Sequence, residues 1–413
     1  MLSRAVRRHY VALALIPLAL AACSSEDGAE PGASDVSDLD AGGAFDTPDT
    51  PDAASGTVTD SATKDAAKDA ARDATKDSAL VPETGPAPCT CAANETCLSN
   101  GACLCKEGFV PALAGGCEKA AADSPALHTK SEVCKKWKEG HVVSTPSPYT
   151  KGTKQCDVGT LAKGGITDTL LRINLFRWME GLAPVTDEST KNAGAQSCAV
   201  LQAWNDPATL TPSPHKPQAA ATCYTATGAT WAGQSNLAWG ASTSDAIDLY
   251  VKDPGASNAA SFGHRRWVLN PPLAKVGIGF VSGGSNGNTG GQAQCLGVFD
   301  TSGTGPSPAW FAWPPAGYVP VEATNGVLNE GWGFTFHMKQ KNVVSSATIT
   351  VTNLTTRTNA PVTVKKLNQG YGYEAISFYP SGWKPDADSV YRTTVDVPTV
   401  GKTVYDMLPV SCP

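Results

Sequence analysis

The stretch SFGHRRWVLNPPLAKVGIGF, Ser261–Phe280, decides the fold. It sets a histidine behind a glycine, follows with two arginines and a tryptophan, and turns on a proline pair. It ends in KVGIGFV, an apolar run whose glycines argue against a helix and for a buried strand. The chain has only six histidines in 413 residues, so His264 is read as a ligand, a base or a filler of backbone hydrogen bonds. Gly263 is expected to let the backbone turn tightly ahead of it. Arg265 and Arg266 are expected to anchor the loop through carbonyls or Asp253, with Trp267 in the core.

Upstream, TDTLLRINLFRWMEG places Leu170, Ile173, Asn174 and Arg177 at helical spacing and ends near Gly181. ESTKNAGAQSCAVLQAW reads as a second helix and TSDAIDLYVKD as a third. Helices with a glycine-bounded strand imply layers of both kinds around one core. The stretch SGGSNGNTGG lacks the lysine and helix of a phosphate loop and reads as a hairpin connection. From Pro314 the period becomes two: Trp332, Phe334, Phe336 and Met338 alternate with small or polar residues, and five more turn-bounded strand patterns follow. This predicts an all-β, immunoglobulin-like sandwich over 314–413. His337 falls on the outward face of its strand and is expected at the surface.

The first 23 residues combine Arg4, Arg7 and Arg8, an apolar core from Val11 to Leu20 and small residues before Cys23, the layout of a secretory signal. Leu20-Ala21-Ala22-Cys23 resembles a bacterial lipobox, which makes Cys23 the lipid-attachment residue and a lipid its membrane anchor. Cysteine parity agrees. Thirteen cysteines become twelve without Cys23: Cys89, Cys91, Cys97, Cys103, Cys105 and Cys117 packed together, and Cys134, Cys156, Cys198, Cys223, Cys295 and Cys412 spread out. Both sets are even, as an exported disulfide-bonded protein requires, while connectivity stays open; a Cys198–Cys223 bond is one guess.

Charge separates a tail from a body. Residues 24–88 hold fifteen acids against four bases, so within a net charge of −6 the part from Cys89 onward is nearly neutral. That excludes a nucleic-acid surface. The tail, with Phe45 as its one aromatic residue, reads as a disordered stalk, and TKDAAKDAARDATKD within it as a partly helical spacer without a coiled-coil seam. Residues 89–118 form a cysteine-rich module whose last half looks epidermal-growth-factor-like; zinc held by its C-x-C pairs is the weaker alternative. Residues 119–165 and the glycine-rich 283–313 are read as connections.

INLFRWMEGLAPV, AGAQSCAVLQA, a lone His215, GQSNLAWG, AIDLYVKD and GHRRWVLNP…VGIGF, in that order, resemble the CAP superfamily of cysteine-rich secretory proteins, venom antigens and plant pathogenesis-related proteins. The resemblance spans 166–282. It implies an α-β-α sandwich with a cleft lined by two histidines and two acids, a site that in some members holds a divalent metal. His215 and His264 fall on the two histidines. Tyr250-Val251-Lys252-Asp253 falls on the family's Trp-x-x-Glu, which makes Asp253 one acid. Gln234-Ser235-Asn236-Leu237 replaces Gly-Glu-Asn-Leu, so Ser235 stands where the second acid is expected. Two imidazoles and a carboxylate can hold zinc, but Ser235 replaces neither a ligand nor a base.

Three readings follow. In the first, the chain is a multidomain, lipid-anchored lipoprotein of the outer membrane or cell surface that binds a lipid, glycan, peptide or surface partner in its cleft. In the second it is a metal-dependent hydrolase using His215, His264 and Asp253. In the third it is an adhesive or structural protein with a vestigial cleft. No His-Glu-x-x-His helix occurs.

Overall fold

In the computed structural model the described residues are 90–97, 103–121, 128–255, 257–285, 291–324, 333–340, 346–380, 386–398 and 400–413. The signal segment, Cys23, the stalk and Cys89 lie outside them. Among the described residues no helix is long and apolar enough to cross a membrane.

Two ladders, β1–β2 (Glu95–Cys97, Cys103–Cys105) and β3–β4 (Phe109–Pro111, Cys117–Lys119), form the cysteine-rich part. They are stapled by Cys91–Cys103 and Cys105–Cys117, and Cys97 is disulfide-bonded as well. The C-x-C zinc alternative therefore fails, since these thiols are consumed. The nearest metal-like cluster among the described residues, Cys91, Glu95 and Cys103, contains one of these bonds.

Next come α1 (Lys130–Gly140), a ladder β5–β6 (Tyr149–Thr150, Thr160–Leu161), α2 (Lys163–Met179), β7 (Thr186–Asp187) and α3 (Ser189–Ala203). A tight ladder β8–β9 (Pro212–Ser213, Lys216–Pro217) precedes α4 (Ala226–Ala232), β10 (Ser235–Trp239), α5 (Asp245–Lys252), α6 (Gly263–Val268), β11 (Lys275–Val281) and β12 (Ala293–Asp300). The sheet runs β10-β12-β11-β7. Ala238, Val276, Ile278, Leu296 and Val298 join the core with α2 and α5, whereas Leu237, Trp239, Val281, Ala293 and Cys295 join that with α3 and α4. Three layers, helix on sheet on helix, result.

The glycines of KVGIGFV face α3. A Cβ on Gly279 would lie 2.1 Å from the Ala195 carbonyl oxygen, and one on Gly277 2.5 Å from that of Lys191, so bare strand backbone is what lets the helix settle on the sheet. β11 and β12 pair antiparallel across the expected hairpin. The 283–313 segment, however, is not merely a connection: it supplies β12, the strand between β10 and β11, and every residue from Ala293 to Val298 is buried.

The C-terminal part is strand-rich. One sheet orders β13-β15-β19-β18 (Trp310–Trp313, Phe334–Met338, Glu374–Pro380, Val362–Lys366). The other orders β14-β21-β20-β16-β17 (Gly317–Pro320, Gly401–Val410, Tyr391–Val397, Thr348–Asn353, Thr358–Ala360), with β14 and β21 parallel. Trp310 and Phe336 meet Tyr405 across the gap, at 5.5 and 6.4 Å between ring centroids.

His337 is not at the surface. It is 1 % exposed, stacked on Phe311 at 4.2 Å, and its Nε2 lies 2.8 Å from Thr335 Oγ1. The alternation places Thr335 and His337 on one face, but that face is covered: Arg265 donates to Thr335 Oγ1 at 3.1 Å. Burial pushes the His337 imidazole well below the usual histidine range, and Arg266 and Arg265 push the same way.

The two halves share one core, in which Phe176 of α2 meets Trp313 of β13 edge-on at 5.4 Å. Arg265 donates to the carbonyls of Val251, Lys252 and Gly333, and Arg266 to those of Ser261, Asn368 and Tyr373. Both bridge the halves. Arg177 in α2 reaches the carbonyls of Ala183, Val268, Asn270 and Leu273 and so holds the proline turn. Burial lowers all three guanidinium pKa values to about 10, which leaves them charged at neutral pH. At the other end, Arg392 pairs two-pronged with Asp406 at 2.8 Å and also meets Glu118, docking the cysteine-rich part; Ala121 N donates to Asp406 as well.

Arg265→Lys loses the forked geometry that reaches three carbonyls, and is expected to cost about 2–4 kcal/mol in urea unfolding and to split one transition into two. Glu180 lies in the same interface with Oε1 unpartnered, and burial raises its carboxyl well above the usual range. Its folded pKa exceeds its unfolded one, so stability falls as pH climbs through that range. Glu180→Gln should raise the melting temperature at about pH 8 and leave it nearly unchanged at about pH 4.

Candidate functional site

His215 sits at the turn between β8 and β9. Its Nδ1 lies 2.8 Å from the Ala232 carbonyl oxygen. A carbonyl only accepts, so Nδ1 carries the proton and Nε2 keeps its lone pair. Burial pushes the His215 imidazole down to about 4, against the pull of the Ala232 bond, and nearby His264 lowers it further. His264 opens α6, stacks on Tyr250 at 5.6 Å and donates from Nδ1 to Asp253 Oδ1 at 2.8 Å.

Asp253 does not line the cleft. It follows α5 in the left-handed region, φ 50°, which turns its side chain under His264. There it is fully buried, and Oδ2 accepts from Arg265 N at 3.2 Å. Phe262 at φ 47° makes the matching turn into α6. The tight turn expected of Gly263 is therefore made by Phe262, and Gly263 serves packing instead. A Cβ there would stand 2.8 Å from Cε1 of Tyr371, so its bareness admits that ring.

Ser235 begins β10, is 5 % exposed, and its buried Oγ has no hydrogen-bond partner. His215, Ser235 and His264 line one shallow cleft, partly open to solvent, together with Trp267, Phe299 and Tyr371. Trp267 is thus half-buried in the wall rather than wholly in the core. Phe299 and Tyr371 were not read from the sequence as site residues. Phe299 lies in the segment read as a connection, and Tyr371 has only the signal of an aromatic between two glycines, Gly370 and Gly372. The guessed Cys198–Cys223 bond is replaced by Cys198–Cys295, tying α3 to β12, and Cys156–Cys223. Cys134 pairs with Cys412.

The donor set suits a divalent ion in one respect. Each imidazole gives its Nδ1 proton to a protein oxygen, the arrangement that ordinarily orients a metal-binding histidine. Among the described residues the lining holds no carboxylate, so an ion would rest on Nε2 of His215 and His264 with the Ser235 hydroxyl beside it.

Residues 170–297 match the family model described as Cysteine-rich secretory protein family, CAP. The match extends past the 166–282 span of the resemblance to take in most of β12. The similarity to that family is confined to this segment, and the described part of the chain carries several disulfides. Neither the curated proteins nor the solved structures compared with the chain match it.

The folded pKa of His215 is depressed, so its contribution to stability is full above the ordinary histidine value of about 6.5. That contribution is lost as pH falls toward about 4. His215→Gln should flatten that part of the stability–pH curve in denaturant titrations. The His215 ring resonances should stay those of a neutral imidazole down to about pH 5.

Proposed function

We propose that the protein is an exported lipoprotein, anchored through Cys23 at the outer membrane or cell surface, which holds a small ligand in the His215/His264 cleft. The signal layout, the lipobox resemblance and cysteine parity support the anchor. The epidermal-growth-factor-like resemblance of the cysteine-rich part and the immunoglobulin-like reading of the paired sheets fit a module that presents the cleft away from the membrane.

One observation carries the binding reading. Asp253, the carboxylate beside the histidines, is fully buried and occupied by His264 and Arg265, so among the described residues no acid faces the cleft to accept a proton from a water. What faces it is imidazole, hydroxyl, amide and aromatic rings. Such a set recognises and does not hydrolyse. The test follows the His215 and His264 ring signals while lipid, glycan and peptide fractions of the producing cell's envelope are added. Displacement of both signals by one fraction is the expected result, and no displacement by any of them overturns the reading. Cys23→Ala should move the chain from the membrane to the soluble exported fraction.

The two oriented imidazoles favour a second reading, in which a divalent ion rests on their Nε2 atoms and polarises a bound ligand oxygen. Zinc calorimetry should then show one site lost in the His215→Ala/His264→Ala variant, and Ser235→Glu should tighten it by roughly tenfold or more by restoring a carboxylate.

A further inference from the structure

Taking the cleft as a binding site, we infer that its ligand is a neutral sugar, seated on an aromatic wall that the C-terminal strand-rich part completes through Tyr371.

The wall comes from three places in the chain. Trp267 lies on α6, Phe299 on β12 and Tyr371 in the turn before β19. Trp267 stands 4.7 Å from Phe299 and 6.4 Å from Tyr371 between ring centroids. Phe299 is 43 % exposed, a phenyl ring held in water at the mouth of the cleft. Tyr371 is fixed in place: Arg266 lies 5.1 Å over its ring, is itself bonded to the carbonyls of Asn368 and Tyr373, and Gly263 leaves the room.

The rest of the lining excludes the other ligand classes. Among the described residues no leucine, isoleucine, valine or methionine faces the cleft, so an acyl chain would find no aliphatic surface. No lysine, arginine, aspartate or glutamate of the described residues faces it either, so a phosphorylated headgroup or a charged peptide end would lose hydration without an ionic partner. A pyranose meets both halves of the lining. Its C–H face packs on ring faces, and its rim hydroxyls donate to Nε2 of His215, which keeps a lone pair, and reach Ser235 Oγ. That hydroxyl, buried and unpartnered, gains the hydrogen bond it lacks.

The experiment uses the full chain and four neutral disaccharides: cellobiose, maltose, lactose and N,N′-diacetylchitobiose. Phosphatidylglycerol vesicles and trialanine are the comparison arms. The readouts are tryptophan fluorescence and the His215 and His264 ring signals. At least one disaccharide should bind with a Kd of roughly 1 mM or tighter. Phe299→Ala, at an exposed position that folding tolerates, and Tyr371→Ala should each weaken it by roughly tenfold. Tyr371→Phe, which keeps the ring, should retain most of the affinity, separating loss of the wall from loss of the fold. If no disaccharide moves the ring signals at about 10 mM, a concentration that would reveal even millimolar affinity, the sugar assignment is overturned. It is equally overturned if Phe299→Ala and Tyr371→Ala bind as the parent does. If vesicles or trialanine move the signals and the sugars do not, the sugar assignment falls while the binding site itself stands.

Discussion

The structure depends on how two adjacent guanidinium groups are satisfied in its interior. Arg265 and Arg266 are 0 % and 1 % exposed, and a buried cation is tolerable only where acceptors surround it. Here the acceptors are backbone carbonyls drawn from both halves of the chain: Val251, Lys252 and Ser261 on one side, Gly333, Asn368 and Tyr373 on the other. Neither half satisfies these charges alone. The same short helix carries His264 into the cleft and Trp267 into its wall, so the joint between the halves and the geometry of the site are one piece of structure.

Much of this could be read from residue order. Helical spacing located α2, α3 and α5, and the glycine-bounded apolar run located β11. His215 and His264 were singled out through the family resemblance rather than through local pattern, and both line one cleft. The arginine side chains act through carbonyls as expected, whereas Asp253 accepts from the Arg265 backbone N–H. Local pattern failed where a distant segment changed what a face meets. The alternation in Phe334–Met338 is real, but a strand's second face is solvated only when nothing covers it, and here Arg265 reaches it. Pattern placed Asp253 at the end of the third helix, but only its left-handed backbone shows that the carboxylate turns inward. Ala293–Asp300 was read as a connection because glycines surround it, and its role became visible only through the strands on either side.

Ser235 occupies a regular strand at the position where the family resemblance leads to the expectation of an acid. The strand it opens pairs with β12 in unbroken register from Ser235 to Trp239, and the cleft keeps both imidazoles. Among the described residues the hollow itself carries no acid. Asp253 lies beneath the surface as a support for His264, and no aspartate, glutamate, lysine or arginine of the described residues faces the cleft.

The bond between Cys134 and Cys412 joins the helix ahead of the sandwich layers to the penultimate residue, across a separation of 278 positions. It makes nearly the whole folded body a closed covalent ring. Tension drawn along the chain from either end passes through that crosslink and bypasses every strand and helix inside it. A single protease cut in any loop between the two cysteines leaves both fragments attached, so a nicked molecule keeps its parts together as long as its surroundings stay oxidising.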